Sequence, residues 1–391
     1  MRTALRMRLV APSATLGMAA KAADLRRQGK AIIDLSAGEP DFNTPQHIKD
    51  AAKKAIDDNF TRYTPVPGVH TLREAIAGYF KTTYGVPTPK EAVIATNGGK
   101  QALYTLFMAL LNPGEEVLVP APYWVSYPDM VRLAGGRPVP VPSTPENGFL
   151  VSVEDLDKAA TPATRALILN SPSNPTGAHY TAEALDAIME WALSRDIFIV
   201  SDEIYDKLVY EPAKPASMAS NFALHPENVA VVGGLSKSFA MTGWRVGYAL
   251  GHPNLIRAMS TLQSQTTSNI CSIAQKAAIA ALTGPMDCVE QMRLAFKRRR
   301  DLALAVIATW KEAVCPTPSG AFYLFPCLSG YFNDTVPNST ILSETLLTET
   351  GVATVPGVAF GEDRCIRLSY ATDDATLEKG LVAIGDFLGK L

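Results

Sequence analysis

The chain has 391 residues, 47% of them hydrophobic, with 36 basic residues against 38 acidic ones. This length exceeds what one ordinary core fills and suits one large and one smaller folded unit. The near balance of charge leaves out nucleic acid and anionic membranes as partners; the longest basic run, Lys297-Arg298-Arg299-Arg300, reads as a solvated helix face.

The five cysteines (Cys271, Cys288, Cys315, Cys327, Cys365) are odd in number and scattered, so neither a disulfide framework nor a zinc site is expected, and a cytoplasmic location fits. The histidines (His47, His70, His179, His225, His252) lack metal-ligand spacing and read as surface or loop residues. No apolar stretch approaches the roughly 18 residues of a membrane helix.

In chain order, residues 1–10 carry Arg2, Arg6 and Arg8 on an apolar part too short for a secretory signal, and read as an arm. A helix is expected over about 15–28. Thr44-Pro45 reads as a helix cap with proline in the first turn, and Gly29, Gly85 and Gly114 fall where helices end. Short β-branched or apolar runs at 93–96, 116–119, 166–169, 197–200 and 229–232 alternate with helical patterns, which predicts a mostly parallel sheet with crossover connections. Beyond them come a long helix over 285–313, strands at 320–325, 352–355 and 366–369, and a closing helix over 374–388. This pattern suits a second, α+β unit.

Ligands of parallel α/β sheets bind outside the carboxyl ends of the strands. Gly98-Gly99-Lys100 follows the first run and opens a helix over 101–111, whose free amides and positive end suit a phosphate. Asn174 follows the third run, Asp202 and Tyr205 the fourth, and Ser236-Lys237 the fifth, with Arg245 eight positions on. A desolvated lysine beside a cation becomes a nucleophile toward carbonyls. Pyridoxal phosphate offers an aldehyde to Lys237 and an anion to Ser236 and Arg245. On its ring, Asp202 can keep the pyridine nitrogen protonated while Asn174 and Tyr205 donate to the phenolic oxygen. Singly, these residues read as a loop lysine, a helix cap and a turn. Together, four strand ends carry the required types.

The segments Pro12-Ser13-Ala14-Thr15, Ala37-Gly38-Glu39-Pro40-Asp41-Phe42, Gly99-Lys100-Gln101, Pro122-Tyr123-Trp124-Val125-Ser126-Tyr127-Pro128, residues 170–177, Ser201-Asp202-Glu203-Ile204-Tyr205, residues 236–247 and Arg367-Leu368-Ser369-Tyr370 extend this set. Through them the chain resembles a class I pyridoxal-phosphate-dependent aminotransferase of fold type I, close to the prokaryotic aspartate aminotransferase subgroup. The resemblance implies a large cofactor-binding domain over 45–285, with a mostly parallel seven-stranded sheet sandwiched by helices. It also implies a smaller α+β domain over 286–391, to which residues 1–44 add an arm and a packed segment.

By the same resemblance, Lys237 is the Schiff-base lysine and proton shuttle, and Trp124 stacks on the ring. Ser236, Arg245 and the amides near Gly99 and Lys100 hold the phosphate. Tyr63 reaches the phosphate of a neighbouring subunit, which implies a homodimer with shared sites. Arg367 clamps the substrate α-carboxylate, helped by Asn174 and the backbone at Gly38. Lys100, Ser13 and Thr15 bind a distal carboxylate. The expected reaction is ping-pong transfer of the amino group of an L-amino acid, foremost aspartate, to 2-oxoglutarate, giving oxaloacetate and glutamate. Residues 264–268, where many aspartate aminotransferases place a partner-subunit arginine, are neutral here, so aromatic amino acids or prephenate are alternative substrates. A β-lyase on the same fold is the chemical rival.

Overall fold

The computed structural model describes residues 2–12 and 14–391, the side chains of Ala14 and Leu16 excepted; Ser13, expected at the substrate end, lies outside the described residues. Seven strands form the main sheet: β1 Val93–Thr96, β2 Glu116–Ala121, β3 Arg137–Pro142, β4 Thr164–Asn170, β5 Phe198–Asp202, β6 Val229–Gly234 and β7 Gly247–Leu250. Their order is β1-β7-β6-β5-β4-β2-β3, with β7 antiparallel to both neighbours and the other pairs parallel.

Successive side chains leave a strand on opposite faces, so a sheet covered on both sides is apolar at every position. In β4, Ala166 and Ile168 pack with Ile94, Val119 and Val232 on one face, while Leu167 and Leu169 pack with Ala95, Leu118 and Val231 on the other. The continuous apolar runs are therefore core strands between two helix layers.

Strands β3 and β7 bring the sheet to the seven strands that the resemblance implies, but no apolar run in the sequence located them. The first reads Arg-Pro-Val-Pro-Val-Pro, and proline has no N–H for a ladder. The flanking N–H groups of Arg137 and Ser143 donate inward to Glu115 and Ala121, so Pro138, Pro140 and Pro142 turn their nitrogens to the open edge. The prolines thus suit an edge strand and blunt it against further pairing. Strand β7 starts at Gly247, where a Cβ would overlap the backbone of Gly98 and Gly99, so only glycine lets this strand pass beneath the Gly98-Gly99 turn.

The second region is built around Ile366–Ser369, antiparallel to Val355–Pro356 on one side and Tyr323–Leu324 on the other. Ile33–Asp34 pairs in parallel with Val352–Ala353, so a segment near the start of the chain completes a structure near its end. The run 352–355 splits at Thr354 because the chain leaves one sheet for the other, and the strand expected over 320–325 shortens because Gly320 and Ala321 donate to Gly177 and Leu208 instead. Helix Ala14–Arg27 packs Met18 and Ala22 on Leu347 and Ala353. Phe296, Phe322, Tyr323, Tyr370, Leu377 and Ile384 form the core between the small sheets and helices Asp287–Ile307 and Asp374–Leu388. The helix expected over 285–313 stops at Ile307; the chain then turns and buries Trp310 against Gly385, where a Cβ would lie 2.7 Å from the indole nitrogen.

Four local expectations are corrected. Arg299 and Arg300 are buried, Arg299 in a two-pronged bridge to Asp41 at 2.7 and 2.8 Å and Arg300 donating to the Pro318 carbonyl at 2.9 Å. His179 is buried between Ser171 Oγ and the Lys214 carbonyl. Cys327 and Cys365, 38 residues apart in sequence, face each other across an antiparallel bridge and are joined as a disulfide. Thr44 does not cap a helix; its hydroxyl donates to the Ala240 carbonyl and accepts from the Trp244 indole. Each correction rests on a partner remote in sequence. No helix among the described residues is long and apolar enough to cross a membrane.

Candidate active site

A cleft of about 770 Å³ opens at the carboxyl ends of the main sheet and is walled on its far side by Asp34, residues 36–39, Tyr323 and Arg367. Its size is that of a small-molecule site. Gly38, Gly99, Lys100, Trp124, Asn174, Asp202, Tyr205, Ser236, Lys237, Arg245, Arg367 and Thr15 all line it. Tyr63 does not; it stands 93% exposed in the loop before helix His70–Tyr84.

Asp202 ends β5 with its side chain on the cleft side. One carboxylate oxygen accepts from the Tyr127 hydroxyl at 2.7 Å and the other from the Ile204 amide at 3.2 Å. Burial pushes the group up to about 6, against those donors and the Lys237 amine, which favour its charge. Glu203, one residue on, faces away, bound by Ser201, Ser217 and the Met218 amide, and burial pushes it up to about 7. Of two adjacent acids, strand geometry thus gives one to the cleft and one to the core.

Lys237 lies three residues after β6, half-buried, with Nζ donating to the Gly38 carbonyl and 5.9 Å from the centre of the Tyr205 ring. Burial first, then the Arg367 guanidinium, pushes this amine down to about 8, so an appreciable fraction is a free base near neutral pH. Arg245 is anchored on the carbonyls of Thr242 and Asn97 at 2.9 and 3.3 Å. It lies so close over Gly98 that a Cβ there would meet its Nη2 at 2.5 Å. Helix Gly99–Leu110 starts beside it, so its first amides, the Ser236 hydroxyl and the guanidinium border one corner. Lys100 points its ammonium at the Trp124 ring, 4.8 Å from its centre, with no carboxylate partner among the described residues. Burial and Arg245 lower its pKa.

Arg367 is buried, donating to Asn174 Oδ1 at 3.0 Å and to the Ser36 carbonyl at 2.7 Å, while its Nε has no partner. With Oδ1 committed, Asn174 keeps its amide N–H pair for a ligand. Three residues of the site had no role in the sequence reading. Tyr127 holds Asp202; Tyr323 shares a hydrogen bond of 2.9 Å with Tyr205; Glu39 accepts from Thr242 at 2.8 Å. Tyr127 and Glu39 sit inside segments the sequence singles out, whereas nothing local marks Tyr323.

The arrangement places a free amine, an acid, a phosphate-sized cationic corner and a guanidinium with donors to spare around one cleft. Residues 30–384 match the family model for aminotransferase class I and II. The chain is 47% identical to an aspartate aminotransferase of Geobacillus stearothermophilus, over 99% of both chains. It is 46% identical to an aspartate/prephenate aminotransferase of Cereibacter sphaeroides, over 98% of this chain and 97% of that one. The aspartate aminotransferase of Thermus thermophilus solved with maleate superposes with a TM-score of 0.93 at 45% identity, over 99% of this chain and all of that one. That of Rhizobium meliloti gives 0.95 at 38% over the whole of both. With this fold, these strand-end residues and likeness along nearly its full length, the chain belongs to the class I and II aminotransferases.

Proposed function

We propose that this chain is a pyridoxal-phosphate-dependent aminotransferase that moves the amino group of L-aspartate to 2-oxoglutarate, yielding oxaloacetate and glutamate. The observation that carries this reading is the meeting of the Lys237 amine, the Asp202 carboxylate and the Arg367 guanidinium in one cleft. The residues fit the cofactor: the Arg245 cradle over Gly98 and the amides of helix Gly99–Leu110 suit its phosphate, and Asp202 suits its ring nitrogen. When bound, pyridoxal phosphate supplies an aldehyde that joins an amine and a ring that withdraws electrons from the adjacent carbon.

The chain's residues divide the remaining work. Lys237 Nζ takes the proton from the substrate Cα and returns it nearby, a task matched to an amine near neutrality. Asp202 keeps a proton on the ring nitrogen, while Asn174 and Tyr205 donate to the ring oxygen. Trp124 offers a flat face to the ring. Arg367, already oriented by Asn174 and Ser36, receives the α-carboxylate in a two-pronged bridge. Lys100, with Thr15 and Ser13, receives the distal carboxylate.

In this reading residues 45–285 form the cofactor domain, with 286–391 and part of 1–44 forming the smaller one. A homodimer is part of this reading: the family likeness assigns Tyr63 to the phosphate of a neighbouring subunit, and its 93% exposure leaves it available for such a contact. With Cys327 and Cys365 joined and Cys271, Cys288 and Cys315 unpaired, cysteine usage does not argue for a reducing compartment, and the cytoplasmic placement rests on the family likeness. A second reading, with aromatic amino acids or prephenate as amino donors or acceptors, is supported by the neutral stretch 264–268 and by the relative named for both substrates.

Incubation with pyridoxal phosphate should give a visible chromophore, and borohydride should fix the cofactor on Lys237. A colourless protein labelled at no lysine overturns the reading. A panel of amino donors with 2-oxoglutarate then separates aspartate from aromatic use.

A further inference from the structure

Tyr205 and Tyr323 present an accounting problem. Their hydroxyls lie 2.9 Å apart in a buried setting, and each phenol has one proton to donate. If Tyr205 spends its proton on Tyr323, nothing remains for a ligand oxygen in the cleft. If Tyr323 donates to Tyr205, the Tyr205 proton is free to point into the cleft, and it is strengthened, because a hydroxyl that accepts a hydrogen bond becomes a better donor.

The surroundings decide the direction. The Arg367 guanidinium lies 4.5 Å from the centre of the Tyr323 ring. Burial raises both phenols and the guanidinium opposes the rise at both, but at Tyr323 it stands second only to burial, whereas at Tyr205 it stands behind the Tyr323 phenol and the Asp202 carboxylate adds to the rise, so Tyr205 is pushed well above the ordinary value. The more acidic hydroxyl of a neutral pair is the better donor. The other charged or titratable groups facing the pair are Asp202, Lys237 and Tyr127 on the Tyr205 side and Tyr370 on the Tyr323 side.

We propose that Tyr323 is a positioning residue for amino transfer: it donates to Tyr205, so that Tyr205 donates to the cofactor ring oxygen, and its ring on Arg367 links the carboxylate end of the cleft to that oxygen. A carboxylate docking on Arg367 neutralises the guanidinium, weakens Tyr323 as a donor and slackens the hold of Tyr205. Tyr323 belongs to the small three-stranded sheet and Tyr205 follows β5, so this bond also ties the two regions together.

This inference rests on the aminotransferase reading, and the test separates the two. The parent protein must first load pyridoxal phosphate on Lys237 and transaminate; failure there sinks the reading itself. In a parent that passes, Tyr323→Phe keeps the ring that packs on Phe322 and Arg367 and removes only the hydroxyl. We expect the pH at which the bound chromophore titrates to rise by about 0.5 to 1 unit and kcat to fall about 3- to 10-fold, with KM for the amino acid little changed. In a Tyr205→Phe background the same substitution should add no further shift, and Tyr323→His, which retains a ring donor, should recover part of it. A Tyr323→Phe protein that folds, loads and titrates like the parent overturns the role, as does one that merely loses thermal stability. Should Tyr323→Phe fail to fold, Tyr323→His decides: a titration displaced as far as that of Tyr205→Phe, with no part of it recovered, also overturns the role.

Discussion

The sheet end of the cleft and its far wall are made in different ways. Asp202 closes β5, and Asn174, Tyr205 and Lys237 each follow a strand within four residues, on a sheet apolar on both faces. Arg367, by contrast, is held by the carbonyl of Ser36, 331 residues away, and by Asn174, 193 residues away. The polar groups also differ in how far they are satisfied. Asp202 already receives two donors, whereas Arg367 keeps a buried Nε without a partner. A site satisfied from within at one end and short of an acceptor at the other is ready for a resident group at the first and an arriving anion at the second.

The largest effect should come from the sheet end. Lys237→Ala should fold and bind pyridoxal phosphate without a covalent link, yet lose about 10²- to 10⁴-fold or more in transamination rate, measured at saturating substrate. Activity near that of the parent would erase the distinction between the ends, because the base would then lie elsewhere. Next, Arg367→Lys should lower kcat/KM for every amino acid by roughly 10²-fold, since an ammonium cannot reproduce the two-pronged bridge, while the cofactor still loads on Lys237. A protein that no longer loads the cofactor would show that the ends are not separable.

A third prediction uses pH. Burial holds Lys237 down at about 8 in the fold against 10.5 as its ordinary value, so between those values the unfolded chain binds more protons. Stability then rises with pH across that window, by on the order of 1–3 kcal/mol. Denaturant melts of the cofactor-free protein at pH 7.5 and 10 should therefore differ from those of Lys237→Met, which lacks this rise. Identical pH dependence would mean that the amine is not desolvated. The smallest effect concerns the distal group: Lys100→Ala should lower kcat/KM for aspartate about tenfold while sparing phenylalanine, read from the donor panel. Equal losses for both would place Lys100 on the cofactor instead.

Legibility in the sequence follows the same division. The core strands were readable because both faces are covered and the apolar runs are continuous, and the strand-end residues were readable because they are fixed by position after a strand. Strand β3 escaped because alternating prolines argue against a strand until the open edge is known. Arg299 and Arg300 escaped because a basic run looks solvated until Asp41 and Pro318 are seen beside it. The motif at Gly38 and the role of Arg367 came from family likeness and not from spacing.

By itself, the sequence determined five of the seven strands of the wound sheet, their alternation with helices and the acid, amine and donors at its carboxyl ends, since backbone periodicity and chain direction place these locally. Only the tertiary structure decided the pairing of Cys327 with Cys365, the bond from Tyr127 to Asp202 and the contact of Tyr323 with Tyr205 and Arg367. Such contacts join segments that are close only after the chain has closed long loops, and no local preference of either partner encodes the other's position.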